Sequence, residues 1–475
     1  MINRFPTMGR ASAALLIAGV LGGCEFIEST TSDPNNVSDA NLNQLFTGVQ
    51  VNTFYMSQSY YARVASMWTN QTAGVTSQFT SYDTYQLLED DTDSEMGSHY
   101  GSGGLIDIRQ AIEMANEDGR RTYAGILKVY EAYLMGMAAD VFGDIPYSQA
   151  VDAEIIAPEL DGQLEVYAAL QTLLDGAIQD LGSGSGVGPG GVDLNFGGDT
   201  DCWTQVAYSL KARLYLHTAE VDPGAYADAL AAAQNGIDSN DCNFRAIHSS
   251  AATETNIWHQ FTRDRPDHIV AGYFLTNLLN GGTPAVTTDD DPRLSLFFLP
   301  GRGPVAGQYI GSLPGSPDGD FDDTASPLNI SSTGVVAPGY DQPILTCAET
   351  QFIIAEAQAR SGAGGLLAAR AAANAGIACQ EDEYGVSLPD ISPLLVGDAL
   401  IREILRQKYI ALFLNYEAWN DYKRTCYPEV QTADGDEVPG RLLYGTTERA
   451  TNPNIPDVGE QRANPRNPND PEPCT

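Results

Sequence analysis

The chain has 475 residues, more than one hydrophobic core fills, so it is read as two lobes or as one elongated helical array. Its 62 acidic residues against 25 basic ones give a net charge of −37 at pH 7, which excludes nucleic acid as a partner because phosphate binding needs a basic footprint. The same acidity keeps an exposed surface soluble.

At the start, Arg4 and Arg10 are basic, Ala11 to Val20 is an uncharged apolar run, and Leu21-Gly22-Gly23-Cys24 fits the Leu-x-Gly-Cys pattern of bacterial lipoprotein signals. That run is shorter than the ~20 residues a membrane-spanning helix needs. Residues 1–23 are therefore read as a signal peptide and Cys24 as the acylated anchor to a membrane. Glu25, in place of aspartate, agrees with export to the outer membrane. Residues 24–38 follow as a flexible tether, polar and interrupted by Asp33-Pro34 and Asn35-Asn36.

From residue 39 to 475 the pattern is mainly α. Helices are predicted at about 39–57, 104–118 and 122–140. In the last of these Tyr123, Ile126, Leu127, Tyr130, Leu134, Met137 and Val141 share one face. Others are predicted at 163–181, from Trp203 through Leu214, and at 223–238, 267–280, 346–361 and 365–380. A final helix carries Ile401, Ile404, Leu405, Tyr409, Leu412, Phe413, Tyr416 and Trp419. Paired helices in series resemble degenerate tetratricopeptide repeats, without clean self-similarity at their usual period. Long irregular segments at 69–103, 182–201, 281–343 and 427–475 separate them, and loops beyond about 15 residues are usually functional or disordered.

Of seven cysteines, the acylated one leaves an even number in an exported chain. Cys202 opens one predicted helix and Cys242 follows the next, so an antiparallel pair brings them together; Cys347 and Cys379 repeat the arrangement, and Cys426 and Cys474 remain. Free buried thiols are the alternative. No Cys/His spacing suits zinc.

Several segments then point to a family. Asp140-Val141-Phe142-Gly143-Asp144-Ile145-Pro146-Tyr147-Ser148-Gln149-Ala150, Asp199 with Trp203, Ser209-Leu210-Lys211-Ala212-Arg213-Leu214, Asp291-Pro292-Arg293-Leu294, Glu349 with Ala355-Glu356-Ala357, and Glu417-Ala418-Trp419-Asn420-Asp421 with Arg424 through Pro428 occur in order. In them the chain resembles the SusD/RagB family of outer-membrane nutrient-binding lipoproteins, from the signal to about residue 455. It departs from the family where Arg441-Leu442-Leu443-Tyr444 is followed by Gly445 instead of the usual proline. The resemblance implies a SusD-like helical scaffold. It also implies an exterior-facing protein that delivers an oligosaccharide, or less often a peptide, to a TonB-dependent transporter of the SusC type and acts as its lid.

Most of these motif residues read as structural. Gly143 and Pro146 end a helix, and Arg213, Glu356, Arg406 and Glu417 lie near apolar stripes where charges are paired. A sugar site pairs aromatic planes with amide and carboxylate partners. Trp68, Asn70, Gln71, Tyr82 and Tyr85 form one candidate set in the irregular segments, and Asn256, Trp258, His259 and Gln260 a second. No cofactor is expected; Asp318, Asp320 and Asp322 form a weak calcium pattern lacking the glycine and glutamate of an EF-hand, and Asp91, Asp93 and Glu95 a weaker one. No hydrolase, metalloprotease or phosphate-loop motif is present, so an enzyme is not expected. An adaptor lipoprotein that binds only proteins is the alternative function.

Overall fold

Three- and four-residue apolar spacing dictates most of the architecture. The computed structural model describes residues 40–316, 324–433, 436–467, 470 and 474. The signal peptide, Cys24, the tether and the Asp318, Asp320 and Asp322 group lie outside the described residues.

The helices of nine residues or more are α1 (Leu42–Met56), α2 (Tyr60–Trp68), α3 (Leu105–Glu117), α4 (Arg121–Phe142), α5 (Gln163–Leu181), α6 (Thr200–Thr218), α7 (Ala225–Ala233), α8 (Cys347–Ser361), α9 (Gly365–Tyr384), α10 (Asp398–Ala411) and α11 (Glu417–Thr425). From α3 to α9 each packs on its predecessor, which is the stacking of a helical repeat array. The mainly α scaffold expected from the sequence is the one observed. None of the described helices is long and apolar enough to cross a membrane.

Local chemistry sets the ends. Asp199 caps α6 by accepting from the backbone of Asp201 and Cys202, Thr346 caps α8 by accepting from Glu349, and Gly362 ends α8 at φ 72°. Gly143 ends α4 at φ 83°, and Asp144 accepts from the Gln163 backbone to start α5. Cys202–Cys242, Cys347–Cys379 and Cys426–Cys474 are disulfide-bonded.

Two short antiparallel ribbons fasten the irregular segments to this array. Strand β1 (Thr72–Gly74) pairs with β3 (Ile269–Ala271), Thr72 opposite Ala271, and β2 (Phe244–Ala246) pairs with β4 (Gln342–Leu345), Phe244 opposite Leu345. The helix expected at 267–280 is thus β3 followed by a shorter helix, Tyr273–Leu279. The chain turns at Gly272, where a Cβ would lie 2.3 Å from the Asn70 carbonyl oxygen. The segment 69–103, expected to be irregular, contains helices at Gln78–Asp83 and Asp93–Tyr100. The single final helix is two, α10 and α11, because Leu414 takes φ 61° between them.

Several charges buried among the helices are paired. Arg213 of α6 holds Glu349 of α8 through two contacts of 2.7 and 2.6 Å and donates to the Ile344 carbonyl of β4. Arg424 of α11 grips Glu356 of α8 in the same forked way, at 2.7 and 2.6 Å. Arg406 pairs instead with Glu403 at the partly exposed surface of α10. Between α4, α6 and α11, His217 Nδ1 lies 2.8 Å from Asp140 and Nε2 lies 2.9 Å from Glu417. Burial opposes charge on the imidazole, but the two carboxylates outweigh it and raise its pKa to about 9.

This ring is therefore an imidazolium at neutral pH. Its folded pKa exceeds the unfolded value of about 6.5, so its contribution is full below that value and is lost as pH rises through about 9. Denaturant titrations from neutral to alkaline pH should show stability falling across that window. His217→Gln should flatten that part of the profile and cost on the order of 3 kcal/mol at neutral pH, by leaving carboxylates buried without their cation.

Candidate functional site

The residues expected to meet a sugar are mostly inside the protein. All four tryptophans are fully buried, Trp68 and Trp258 among them. Trp68 packs edge-on against Trp419 at 5.0 Å and donates its indole N–H to the Tyr82 carbonyl. Asn70 is buried, in a left-handed turn. Gln71 is buried as well, and its amide donates to the Tyr409 and Leu412 carbonyls while its oxygen accepts from the Leu414 backbone. It satisfies the backbone where α10 breaks from α11.

Tyr82 is buried, with its hydroxyl donating to Asp91 at 2.7 Å. Asn256 is buried as the N-cap of the helix Ile257–Asp264, and its amide donates to the Tyr340 carbonyl. His259 lies 3.1 Å from the Val336 carbonyl, and Gln260 donates to the Thr255 carbonyl. The two sets do meet, through Phe79, which packs edge-on against both Tyr82 and Phe261. They meet as core, which corrects the reading of Trp68, Asn70, Gln71, Tyr82, Asn256 and Trp258 as ligand contacts. Tyr85 differs: it is half-buried and lines a cavity.

The one acidic pattern within the described residues, Asp91, Asp93 and Glu95, spends its carboxylates on the protein itself. Asp91 accepts from Tyr82 and the Leu88 backbone, Asp93 from the Thr447 backbone, and Glu95 from the Tyr55 hydroxyl. Asp140, His217 and Glu417 converge like metal ligands, yet both ring nitrogens are committed to carboxylates.

A cleft of about 760 Å³ opens beside α10 and the C-terminal end of α11, within the size range of small-molecule sites. The Cys426–Cys474 bridge walls one side. Tyr427 lines it half-buried, braced edge-on by Tyr409 at 6.3 Å and Phe274 at 6.5 Å. Tyr422 also lines it; the residue is 5% exposed and its hydroxyl makes no hydrogen bond among the described residues. Burial pushes that hydroxyl's pKa up to about 12, so it stays a neutral donor and acceptor.

The cations at the rim are already engaged, Arg402 with Glu429 and Arg360 with Glu220 and Glu356, while Asp398 and Asp436 form no ion pair among the described residues. An aromatic plane, a free hydroxyl and free carboxylates in one concavity suit a ring that presents C–H faces and hydroxyl edges. A second groove, of about 520 Å³, is lined by Tyr340 and Tyr384, but the Tyr340 hydroxyl is spent on Glu383.

Tyr422 and Tyr427 escaped the sequence reading because they adjoin a scaffold motif. The available signal was an aromatic between Cys426 and Pro428 at the mouth of an irregular segment.

A stacked-helix array with an aromatic-lined polar cleft is the architecture of a helical-repeat protein. Residues 34–445 match the SusD-like family described as starch-binding and associating with the outer membrane, and the chain belongs to that family.

Among solved structures, a chitin-binding protein aligns with 22% identity over 89% of this chain and 96% of its own, with a TM-score of 0.72. A chitin-binding SusD homolog from Flavobacterium johnsoniae aligns with 21% identity over 90% and 95%, TM-score 0.70. A SusD/RagB family protein from Bacteroides thetaiotaomicron aligns with 21% identity over 88% and 95%, TM-score 0.69. No curated protein matches the chain in sequence.

Gln71→Leu should destabilise the fold by roughly 1–3 kcal/mol, because the Leu414 backbone donor loses its acceptor in the core and the Tyr409 and Leu412 carbonyls each lose a donor, the latter keeping Asn415. Chemical denaturation measures it; an unchanged midpoint would contradict the plugging role.

Proposed function

We propose that this chain is a non-catalytic outer-membrane lipoprotein that binds an oligosaccharide at the cell exterior. It passes the ligand to a TonB-dependent transporter of the SusC type, over which it acts as a lid. The observation that carries this reading is the match, over most of the chain, to a family described as starch-binding and outer-membrane-associated. The chitin-binding neighbours support a carbohydrate over a peptide. The cleft beside α10 and α11 supplies the contacts such a ligand needs, with Tyr427 as the stacking surface and Tyr422, Asp398 and Asp436 as hydroxyl partners.

A binding role fits the disposition of the acids. Glu349, Glu356 and Glu417 are locked in ion pairs inside the scaffold, and at the cleft Glu429 is paired with Arg402 and Glu437 with Arg466.

Calorimetric titration with malto- and chito-oligosaccharides should give saturable binding without product formation. Tyr427→Ala should weaken it about tenfold or more, the scale of a lost aromatic stacking surface, and Tyr427→Leu, which keeps apolar packing against Tyr409 and Phe274, should weaken it similarly with a smaller loss of stability. Binding of peptides alone, or of no soluble ligand, would favour the peptide or adaptor reading. Cys24→Ser should release the protein from the membrane and leave affinity intact, as fractionation and titration of the soluble variant would show.

A further inference from the structure

Both arginines that line the cleft beside α10 and α11 are spent, Arg402 on Glu429 and Arg360 on Glu220 and Glu356. Of its acids, Glu437 is likewise held by Arg466. Two carboxylates remain, Asp398 and Asp436, exposed and with neither an ion pair nor a side-chain hydrogen bond among the described residues. Asp398 is the first residue of α10, whereas Asp436 lies in the irregular segment beyond α11, its backbone N–H held by the Ala433 carbonyl. Only the fold brings the two to one cleft.

Two free acids on so negative a surface would mean little by themselves. Tyr422 sets this place apart. The residue is 5% exposed, yet its hydroxyl makes no hydrogen bond among the described residues and, unlike those of Tyr60 and Tyr61, is not sealed from solvent. A polar group this deeply buried is ordinarily satisfied, so an unpartnered hydroxyl at a cleft wall marks where a ligand's polar group sits. Beside it the Tyr427 ring offers an aromatic face held in place by Tyr409 and Phe274.

The charges decide what kind of ring fits there. A carboxylate gains most from a charged donor, since a charge-assisted hydrogen bond is roughly twice as strong as a neutral one. An aromatic face attracts a cation as well as C–H groups. A sugar ring with an ammonium on its edge answers every group in the cleft: its C–H face lies on Tyr427, a hydroxyl meets Tyr422, and the ammonium meets a carboxylate. A uronic or sulfated sugar is repelled by the two free acids and by a chain of net charge −37. We propose that the cleft selects an oligosaccharide of amino sugars whose amines are free and cationic, with Asp398 and Asp436 as the residues that set this preference. Such a chain repeats its ammonium from ring to ring, so each carboxylate can meet one. This preference presupposes that the cleft binds carbohydrate and adds to that reading the charge of the ligand.

Calorimetric titration of the mature chain at about pH 6, where such an amine is protonated, compares a glucosamine tetramer with its fully N-acetylated form, maltotetraose and tetragalacturonate. At low salt the glucosamine tetramer should bind about tenfold tighter than the N-acetylated one, the scale of two exposed charge contacts, and the uronate should bind weakest. Raising the salt from about 0.01 M to about 1 M, which shortens the screening length from about 30 Å to about 3 Å, should bring the first two affinities together. Asp398→Asn and Asp436→Asn should each lower the preference about threefold, and the double variant should bring it to about one. A neutral or acidic tetramer that binds as tightly as the glucosamine one would overturn the proposal and leave the carbohydrate reading in place. So would a preference that the double variant keeps, because the general negative surface would then be its source. Binding of none of the four would overturn the carbohydrate reading and the preference with it.

Discussion

The fold depends on a set of charges that cannot be allowed to separate. Arg213, Glu349, His217, Asp140 and Glu417 join α4, α6, α8 and α11 through contacts of 2.6 to 2.9 Å in a region closed to water. Such pairs repay their desolvation only when each partner is held in place. The helices that carry them must then dock in one register, because a displaced helix strands a charge in the interior. Apolar stripes bring the helices together, and the ion pairs select which of the possible stackings is kept. This explains why the recognisable sequence motifs fall on these residues: they are the terms of assembly.

Much of the scaffold was legible. Helix α5 runs from Gln163 to Leu181, the limits its periodicity predicts; Cys202–Cys242 and Cys347–Cys379 follow from helices that bring their cysteines together, and Cys426–Cys474 is the pair that remains. The failures have one physical origin. Between α10 and α11 the apolar spacing continues unbroken, but a distant side chain, Gln71, offers the backbone better partners than the helix would. At 267–280 the helical pattern yields at Ile269–Ala271 to pairing with β1. No local pattern contains such long-range bonds.

The ligand surface was harder still, because aromatic residues in irregular segments serve two ends with the same chemistry. Trp68 and Trp258 fasten the segments to the core, and the polar residues beside them satisfy backbone that would otherwise be orphaned. Tyr427 has the same composition around it and faces a cleft. Only the packing of α10 against the end of α11, set by residues far from either, separates the two outcomes.

The three disulfides share a property with a bearing on how the chain matures. They join cysteines 40, 32 and 48 residues apart, in successive and non-overlapping stretches. The first two bridges each close a loop that is complete as soon as its own helix pair has emerged, the third ties the end of α11 to the segment that follows it, and short loops close at low entropic cost. An exported chain can therefore oxidise its cysteines in the order they appear, each pair finding its partner before the next pair competes. Nested pairing would have kept the first cysteine without its partner until the last had emerged.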